Sequence, residues 1–276
     1  MRRSFLKDIH SIVIKIGTSV LTKDGRFDRA IIADFSRQIS LFLKKGIPVS
    51  VVSSGAIGAG MMILKEKERP KTMEGLQAAA AAGQRYLMQC YEESFSKVGF
   101  STAQVLLTWD DLASQKRFMN AKRTLNEIQR RGLVPIINEN DTVATDEIRF
   151  GDNDRLSALL SILTQTDVLV VLSDTNGLYK SSDRIPIVEK VEESVFSHVK
   201  DGSNKFTVGG MRSKLEAARM CTNAGIPVFI ASGRDKNVLT RLFDGEDLGT
   251  FFLPSGKRAQ EEKSWIAQFL SYVEKR

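Results

Sequence analysis

The chain has 276 residues, 42% of them hydrophobic and 26% charged, enough to bury the core of one large α/β domain or two small ones. Its formal net charge of +7 admits anionic partners. Lys and Arg are scattered, however, with no basic block or aromatic-interleaved basic stripe, so small anions such as a nucleotide or a carboxylate are favoured over nucleic acid.

The amino terminus, MRRSFLKDIHSIVIKIG, is basic and then apolar, but Asp8 and His10 interrupt it and no small-residue cleavage site follows. No signal peptide is expected there, and the longest apolar runs are too short to span a bilayer. Residues 11–16 read as a first strand. Residues 28–45 read as a helix with apolar residues at Ile31, Ile32, Phe35, Ile39, Phe42 and Leu43, ended by Gly46. A second strand at 47–52 leads into SSGAIGAG and a short helix. An Ala-rich helix is expected over 73–97, a strand over 102–107, a helix over 117–131 and a strand over 133–137. Then come a helix over 153–165, a buried strand over 167–172, a helix over 211–224 and a strand over 226–231, with a short edge strand at 251–253. This alternation predicts parallel strands with right-handed crossovers, hence an α/β fold with three α/β/α layers around a mainly parallel sheet. Residues 180–202 break the rhythm and suggest a hairpin excursion, and 258–276 read as a C-terminal amphipathic helix containing Trp265. No interdomain linker appears, so residues 1–256 are expected to form one domain, followed by a helix over 257–276 and no second domain.

Cys90 and Cys221 are isolated within helix-like segments and lack CxxC spacing, the pattern of buried free thiols in a reducing cytoplasm. The two histidines, His10 and His198, belong to no motif, which argues against His-based zinc sites and Ser-His-Asp hydrolysis.

Polar motifs gather where the strands end. Lys15 stands near the end of the first strand and Gly17 follows it, a place where backbone N–H groups can approach a phosphate; a strand-end lysine facing solvent is the competing reading. Ser53–Gly60 follows the second strand, and such a Ser/Gly-rich turn offers N–H donors to an anion, although Gly58 and Gly60 equally suit close helix packing. The run from Ile136 to Asp154, IINENDTVATDEIRFGDND, crowds Asn138, Glu139, Asn140, Asp141, Asp146, Glu147, Asp152, Asn153 and Asp154 together. So many acids repel one another unless cations, ligand donors or water separate them. Ser173-Asp174-Thr175-Asn176-Gly177 follows another buried strand. Val208-Gly209-Gly210-Met211-Arg212-Ser213-Lys214 opens a helix as a second phosphate cradle with a point charge. Neither the G-x-G-x-x-G fingerprint after the first strand nor the P-loop pattern occurs. Two lysines, several glycine turns and a carboxylate cluster make an inventory for phosphoryl transfer, where positioning and charge neutralisation dominate. A carboxylate acceptor is already ionised at neutral pH, so the want of a motif histidine is no obstacle.

VIKIGTSVL, VSSGAIGAG, VPIINENDTVAT, GDNDRLSAL, SDTNGLY and VGGMRSKLEAA occur here in the order found in the glutamate 5-kinases of the amino-acid kinase superfamily, and residues 10–255 resemble that family. The resemblance implies transfer of the ATP γ-phosphoryl group to the side-chain carboxylate of L-glutamate. It implies that Lys15 and Lys214 neutralise the transferring group and that Asp154 holds the two lysines. Ser173, Asp174, Val208, Gly209, Gly210, Met211, Arg212, Ser213 and Lys214, with Lys15, would contact the nucleotide. Ser54, Asn138, Asp141, Asp152 and Asn153 would hold glutamate. It also implies Mg²⁺ bound mainly through ATP and water, feedback inhibition by proline, a homo-oligomer of two or four chains, a cytoplasmic location, and neither membrane nor nucleic acid as partner. Two departures stand out. Phe206, Thr207 and Val208 precede Gly-Gly-Met where the family usually has more glycine and a threonine, and the sequence stops where many members continue into a domain resembling RNA-modification modules. An N-acetylglutamate kinase is the competing enzyme reading, and the density of Asp around positions 141 and 152 favours a free ammonium over an acetyl group. A nucleotide-binding module without catalysis would be expected to lack Lys15, Asp154 or Lys214, and all three are present.

Overall fold

Eight short runs of β-branched and other apolar residues form the central sheet of the computed structural model, which describes residues 2–23, 26–144, 153–199, 210–256 and 258. In chain order these strands are β1 (Ile12–Ile16), β2 (Val49–Ser53), β3 (Thr102–Leu107), β4 (Val134–Glu139), β5 (Val168–Ser173), β6 (Ile187–Val188), β7 (Val228–Ser232) and β8 (Thr250–Phe252). Their spatial order is β6-β8-β7-β5-β1-β2-β4-β3, and every neighbouring pair is parallel except the antiparallel β7–β8. Among the described residues six helices of nine residues or more accompany them: α1 (Arg29–Leu43), α2 (Ala56–Leu64), α3 (Met73–Ser96), α4 (Gln115–Arg130), α5 (Asn153–Thr164) and α6 (Met211–Asn223).

The sheet is apolar on both faces, as a parallel sheet covered by helices requires. On β1, Ile12, Ile14 and Ile16 pack into a core shared with α1, α3 and the Val238–Phe243 helix. Val13 points the other way, into a core shared with α4, α5 and α6. The period of two then puts Lys15 on the α5/α6 face, level with Val52 on β2 and Val171 on β5. The three-layer α/β/α architecture and the mainly parallel sheet expected from the sequence are what the structure shows. Cys90 and Cys221 are free and buried.

One local expectation needs adjustment. The strand expected at 251–253 is not an edge: β8 lies between β7 and the two-residue β6, which takes the edge position. The 180–202 excursion contains the expected hairpin, Tyr179–Lys180 against Asp183–Arg184, and then returns to the sheet as β6. The helix expected over 258–276 lies outside the described residues apart from Arg258 itself.

Glycines set how the SSGAIGAG turn meets its neighbours. Gly55 begins α2 at φ 102°, a conformation that L side chains rarely adopt. A Cβ on Gly60 would stand 1.7 Å from the Ala79 carbonyl oxygen, and one on Gly83 would stand 1.8 Å from that of Ala56. The α2 and α3 backbones therefore touch through these two positions. Gly60 serves helix-to-helix contact, while Gly58 has open space beside its Cα. The contact brings α3 against the carboxyl end of β2, where the polar residues gather.

Candidate active site

Chain direction across the sheet changes at β1. From β1 the chain moves outward to β2 and the strands beyond it, and later returns to place β5 on the opposite side of β1. In open α/β sheets, ligands bind at the carboxyl ends of the strands beside such a switch. Gly17 lies at this switch point: its N–H donates to the Leu172 carbonyl oxygen at 3.1 Å, and a Cβ there would meet that oxygen at 3.3 Å and the Lys15 Nζ at 3.5 Å.

Lys15 is 5% exposed and its Nζ lies 2.5 Å from Asp154 Oδ1. The other carboxylate oxygen, Oδ2, accepts from Lys214 Nζ at 3.2 Å and from Ser213 Oγ at 2.7 Å. Asp154 itself is 1% exposed. Burial alone would raise its pKa, but the attraction of Lys15, then of Lys214, with hydrogen bonds from Lys15 and Ser213, outweighs burial and holds the carboxyl below its usual range. Asp154 sits in the first turn of α5, where the helix dipole favours a negative charge. Lys214 sits in the first turn of α6, where the dipole disfavours a positive one, so the Asp154 carboxylate offsets that cost. Lys214 Nζ also lies 3.4 Å from the Gly210 carbonyl oxygen.

Beside this ionic centre is a buried patch of amides and hydroxyls at the ends of β2 and β4. Asn153 Nδ2 donates to Ser54 Oγ at 2.9 Å, to Asn138 Oδ1 at 2.9 Å and to the Ser53 carbonyl oxygen at 3.3 Å. Asn138 Oδ1 also accepts from the Glu139 N–H at 2.9 Å, and Asn138 Nδ2 donates to Gln84 Oε1 at 2.9 Å. The Tyr91 hydroxyl donates to Ser53 Oγ at 2.9 Å from within the core. Asp141 follows β4 and is half-buried. Burial pushes its carboxyl up to about 6, with the positive charge of Arg69 pulling the other way.

The structure thus brings together Lys15, Asp154, Ser213 and Lys214, and separately Ser54, Asn138 and Asn153. Ser173 is buried at the end of β5 and shares a hydrogen bond with Thr175 Oγ1 at 2.9 Å, while Asp174 is exposed beside it. Met211 packs partly against the α5/α6 core. Arg212 points elsewhere, pairing with Glu216 at 3.5 Å and lying over the Phe196 ring. Asp152, Val208 and Gly209 lie outside the described residues. Both ends of the Asn138 amide are engaged by the protein, so it orients Asn153 and Gln84. Gln84 is absent from the sequence reading. The signal available was its place in the buried stripe Ala80, Leu87 and Tyr91 of α3, where a polar residue has to find partners.

Residues 11–232 match the model of the amino acid kinase family. The chain belongs to that family, on its glutamate 5-kinase branch. It is 44% identical to the glutamate 5-kinase of Thermoanaerobacter sp. (strain X514) over 264 residues, which cover 93% of this chain and 71% of that one. It is 44% identical to the glutamate 5-kinase of Hydrogenovibrio crunogenus over 94% of this chain and 71% of the relative. Against that of Geobacter metallireducens the identity is 42%, over 98% of this chain and 74% of the relative. Among solved structures, the UMP kinase of Bacillus anthracis superposes with a TM-score of 0.57 at 15% identity, covering 90% of this chain and 97% of that one, which is a likeness of fold.

Replacing Asp154 by Ala leaves two buried ammonium groups without their shared carboxylate. We expect a loss of about 3–5 kcal/mol in unfolding free energy, the usual cost of removing one partner of a buried ion pair. The denaturation midpoint measures it, and a change within about 0.5 kcal/mol, as at ordinary surface sites, would show that Asp154 does not organise this centre.

Proposed function

We infer that the chain phosphorylates the side-chain carboxylate of L-glutamate at the expense of ATP, giving L-glutamyl 5-phosphate, the first step of proline biosynthesis. The observation that carries the chemistry is the buried Lys15–Asp154–Lys214 cluster at the switch point of the sheet, next to an amide-lined patch of a different character.

The reaction asks little covalent work of the protein. An oxygen of the substrate carboxylate forms a bond to the γ-phosphorus, the bond from that phosphorus to the β–γ bridging oxygen breaks, and ADP leaves with the electron pair. The attacking carboxylate is already ionised, so no general base is needed. Lys15 and Lys214 stabilise charge on the transferring group, and Asp154 fixes where their ammonium groups stand. Ser54, Asn153 and Asp141 face the amino-acid head group, with Asp141 paired to its ammonium. Ser173 and Asp174 meet the nucleotide, together with Gly210, Met211, Ser213 and Lys214 at the amino-terminal end of α6. The Gly17 backbone and the two lysines suit a phosphate chain, and a Mg²⁺ ion would add charge neutralisation while bound through ATP and water. Among the described residues no group of three or more His, Cys, Asp or Glu is placed to hold a metal ion.

The proposal extends to residues 1–256 as the kinase domain, proline as feedback inhibitor, assembly into a dimer or tetramer and a cytoplasmic location, all supported by the family resemblance. Among the described residues no helix is long and apolar enough to cross a membrane.

Three measurements test the reading. With ATP, Mg²⁺ and glutamate, the protein should form an acyl phosphate that hydroxylamine traps as a hydroxamate, and faster than with N-acetylglutamate; preference for the acetylated acid would overturn the assignment. Lys214→Ala should lower turnover by about 10²–10³, the usual cost of losing one preorganised charge-stabilising donor. Turnover near the wild-type rate would take Lys214 out of the chemistry.

The third concerns pH. Asp141 is neutral below about 6 and charged above it. Its attraction for an ammonium therefore weakens as pH falls. At saturating ATP, kcat/KM for glutamate should drop roughly tenfold per pH unit below that point, while glutamate's own groups keep their charge down to about pH 4–5. Asp141→Asn should abolish the inflection, and a profile with the same inflection in the variant would assign it to another group.

A further inference from the structure

Gln84 belongs to no motif, yet it ends a chain of hydrogen bonds that fixes its chemistry. That chain of bonds begins at the Glu139 backbone N–H, a group that can only donate. The Asn138 side-chain atom it meets must be the oxygen, Oδ1. That oxygen also faces Asn153, so the Asn153 atom turned toward it is the nitrogen, Nδ2, and the other Asn153 atom is an acceptor, Oδ1. At its far end Asn138 presents Nδ2, so the Gln84 atom turned toward it is Oε1 and the remaining Gln84 atom is a donor, Nε2. One backbone N–H thus orients three amides in turn. The two atoms left over, Gln84 Nε2 and Asn153 Oδ1, are both buried and have no hydrogen-bond partner among the described residues. One is a donor and the other an acceptor.

Leaving a buried amide N–H unpaired is costly, and native proteins seldom tolerate it without a ligand or water to fill the role. An amino-acid head group has the complementary pair: a carboxylate that accepts and an ammonium that donates. The reacting carboxylate must face Lys15 and Lys214, so the head group belongs at the amide end. Gln84 lies on the face of α3 that also holds the loop after β4, since Gln77, seven residues earlier, donates to the Ala144 carbonyl oxygen at 3.1 Å. That loop carries Asp141.

We propose that Gln84 is a specificity-determining residue whose Nε2 donates to the α-carboxylate of the substrate, in an orientation imposed by the Glu139 N–H through Asn138. This rests on the reading of the site as one that phosphorylates an amino-acid side-chain carboxylate.

The test compares glutamate with 4-aminobutyrate, which keeps the amine and the reacting carboxylate but lacks the α-carboxylate. Gln84→Met preserves length and removes the donor; Gln84→Glu keeps an acceptor for Asn138 Nδ2 and opposes the substrate with a second carboxylate. In Gln84→Met, kcat/KM for glutamate should fall about 10- to 100-fold, the usual worth of a hydrogen bond to a charged group, through KM rather than kcat. The constant for 4-aminobutyrate, or its inhibition constant where turnover is too slow, should move by less than about threefold, since the lost donor has no partner on that molecule. Gln84→Glu should lose more than Gln84→Met. An unchanged KM for ATP reports that the fold is intact, and if Gln84→Met fails to fold, Gln84→Glu decides alone. Equal losses with both molecules, or unaltered glutamate kinetics, would overturn the role of Gln84. A wild-type protein that phosphorylates 4-aminobutyrate as well as glutamate would do the same. A wild-type protein with no activity on glutamate would instead overturn the functional reading on which this role rests.

Discussion

A single carboxylate, Asp154, ties together three elements that the chain delivers from distant places. Lys15 comes from the end of β1, Asp154 from the start of α5 and Lys214 from the start of α6, with Ser213 adding a third contact to the carboxylate. Taking three charges out of water is unfavourable, and their mutual attraction recovers that cost only when the geometry is right. The cluster is thus poor value as a source of stability, and its worth lies in position. Each carboxylate oxygen has its own lysine, so the two ammonium groups are held apart and in register with the strand ends. Charge stabilisation in a dry site works best when the donors need not move at the moment of reaction, and such a cluster meets that condition.

The place of this cluster follows from the sheet. Residues on both faces of a covered parallel sheet are apolar, so polar side chains have room only where the strands stop. Lys15 is the exception within β1, and alternation turns it toward the face where α5 and α6 begin. The core on the opposite face uses Ile14 and Ile16, so Lys15 can be buried without disturbing it. The glycine contacts between α2 and α3 act in the same direction. They let α3 approach closely enough for Gln84 to reach Asn138 at the end of β4. The ionic part of the site is therefore supported by α5 and α6, while the amide part draws Gln84 from α3 on the opposite layer and Asn153 from α5.

Much of this was legible before any coordinates. Alternating strand and helix patterns announce the layers, and glycine or carboxylate clusters after apolar runs announce the strand ends. Lys15 and Lys214 stand out beside glycines at the ends of elements, while Asp154 is singled out among its acidic neighbours by the family resemblance alone. The edge order was not legible: a two-residue strand such as Ile187–Val188 is too short to carry a period, so Thr250–Phe252 looks like the last strand when it is the last but one. Gln84 was hidden for a different reason. In a long Ala-rich helix the readable signal is the apolar stripe, and one polar residue in it looks like noise until its partner from another strand is known. Asn138 shows the converse limit. Sequence marks it as belonging to the site, but whether its amide faces a ligand or other amides depends on contacts with Gln84 and Asn153, which lie 54 and 15 positions away.

The contrast between the two halves of the site bears on orientation. Glutamate carries a carboxylate at each end, and a pocket with lysines at both ends would bind it in either direction. Only one direction presents the side-chain carboxylate to the phosphoryl donor. On the reading proposed above, the ends differ in kind. The lysine end accepts a bare carboxylate, while the amide end offers a neutral donor, a neutral acceptor and the nearby Asp141. A reversed substrate would carry its ammonium to Lys15 and Lys214 and leave a carboxylate without its counterpart near Asp141, and like charges so placed repel. Neutral amides have a further advantage over an arginine at the head-group end. Their donors and acceptors are fixed by the Glu139 N–H rather than by ionisation, so they supply direction without adding a charge that would compete with the Asp154 cluster. Discrimination then comes from the mismatch suffered by the wrong orientation as much as from the fit of the right one.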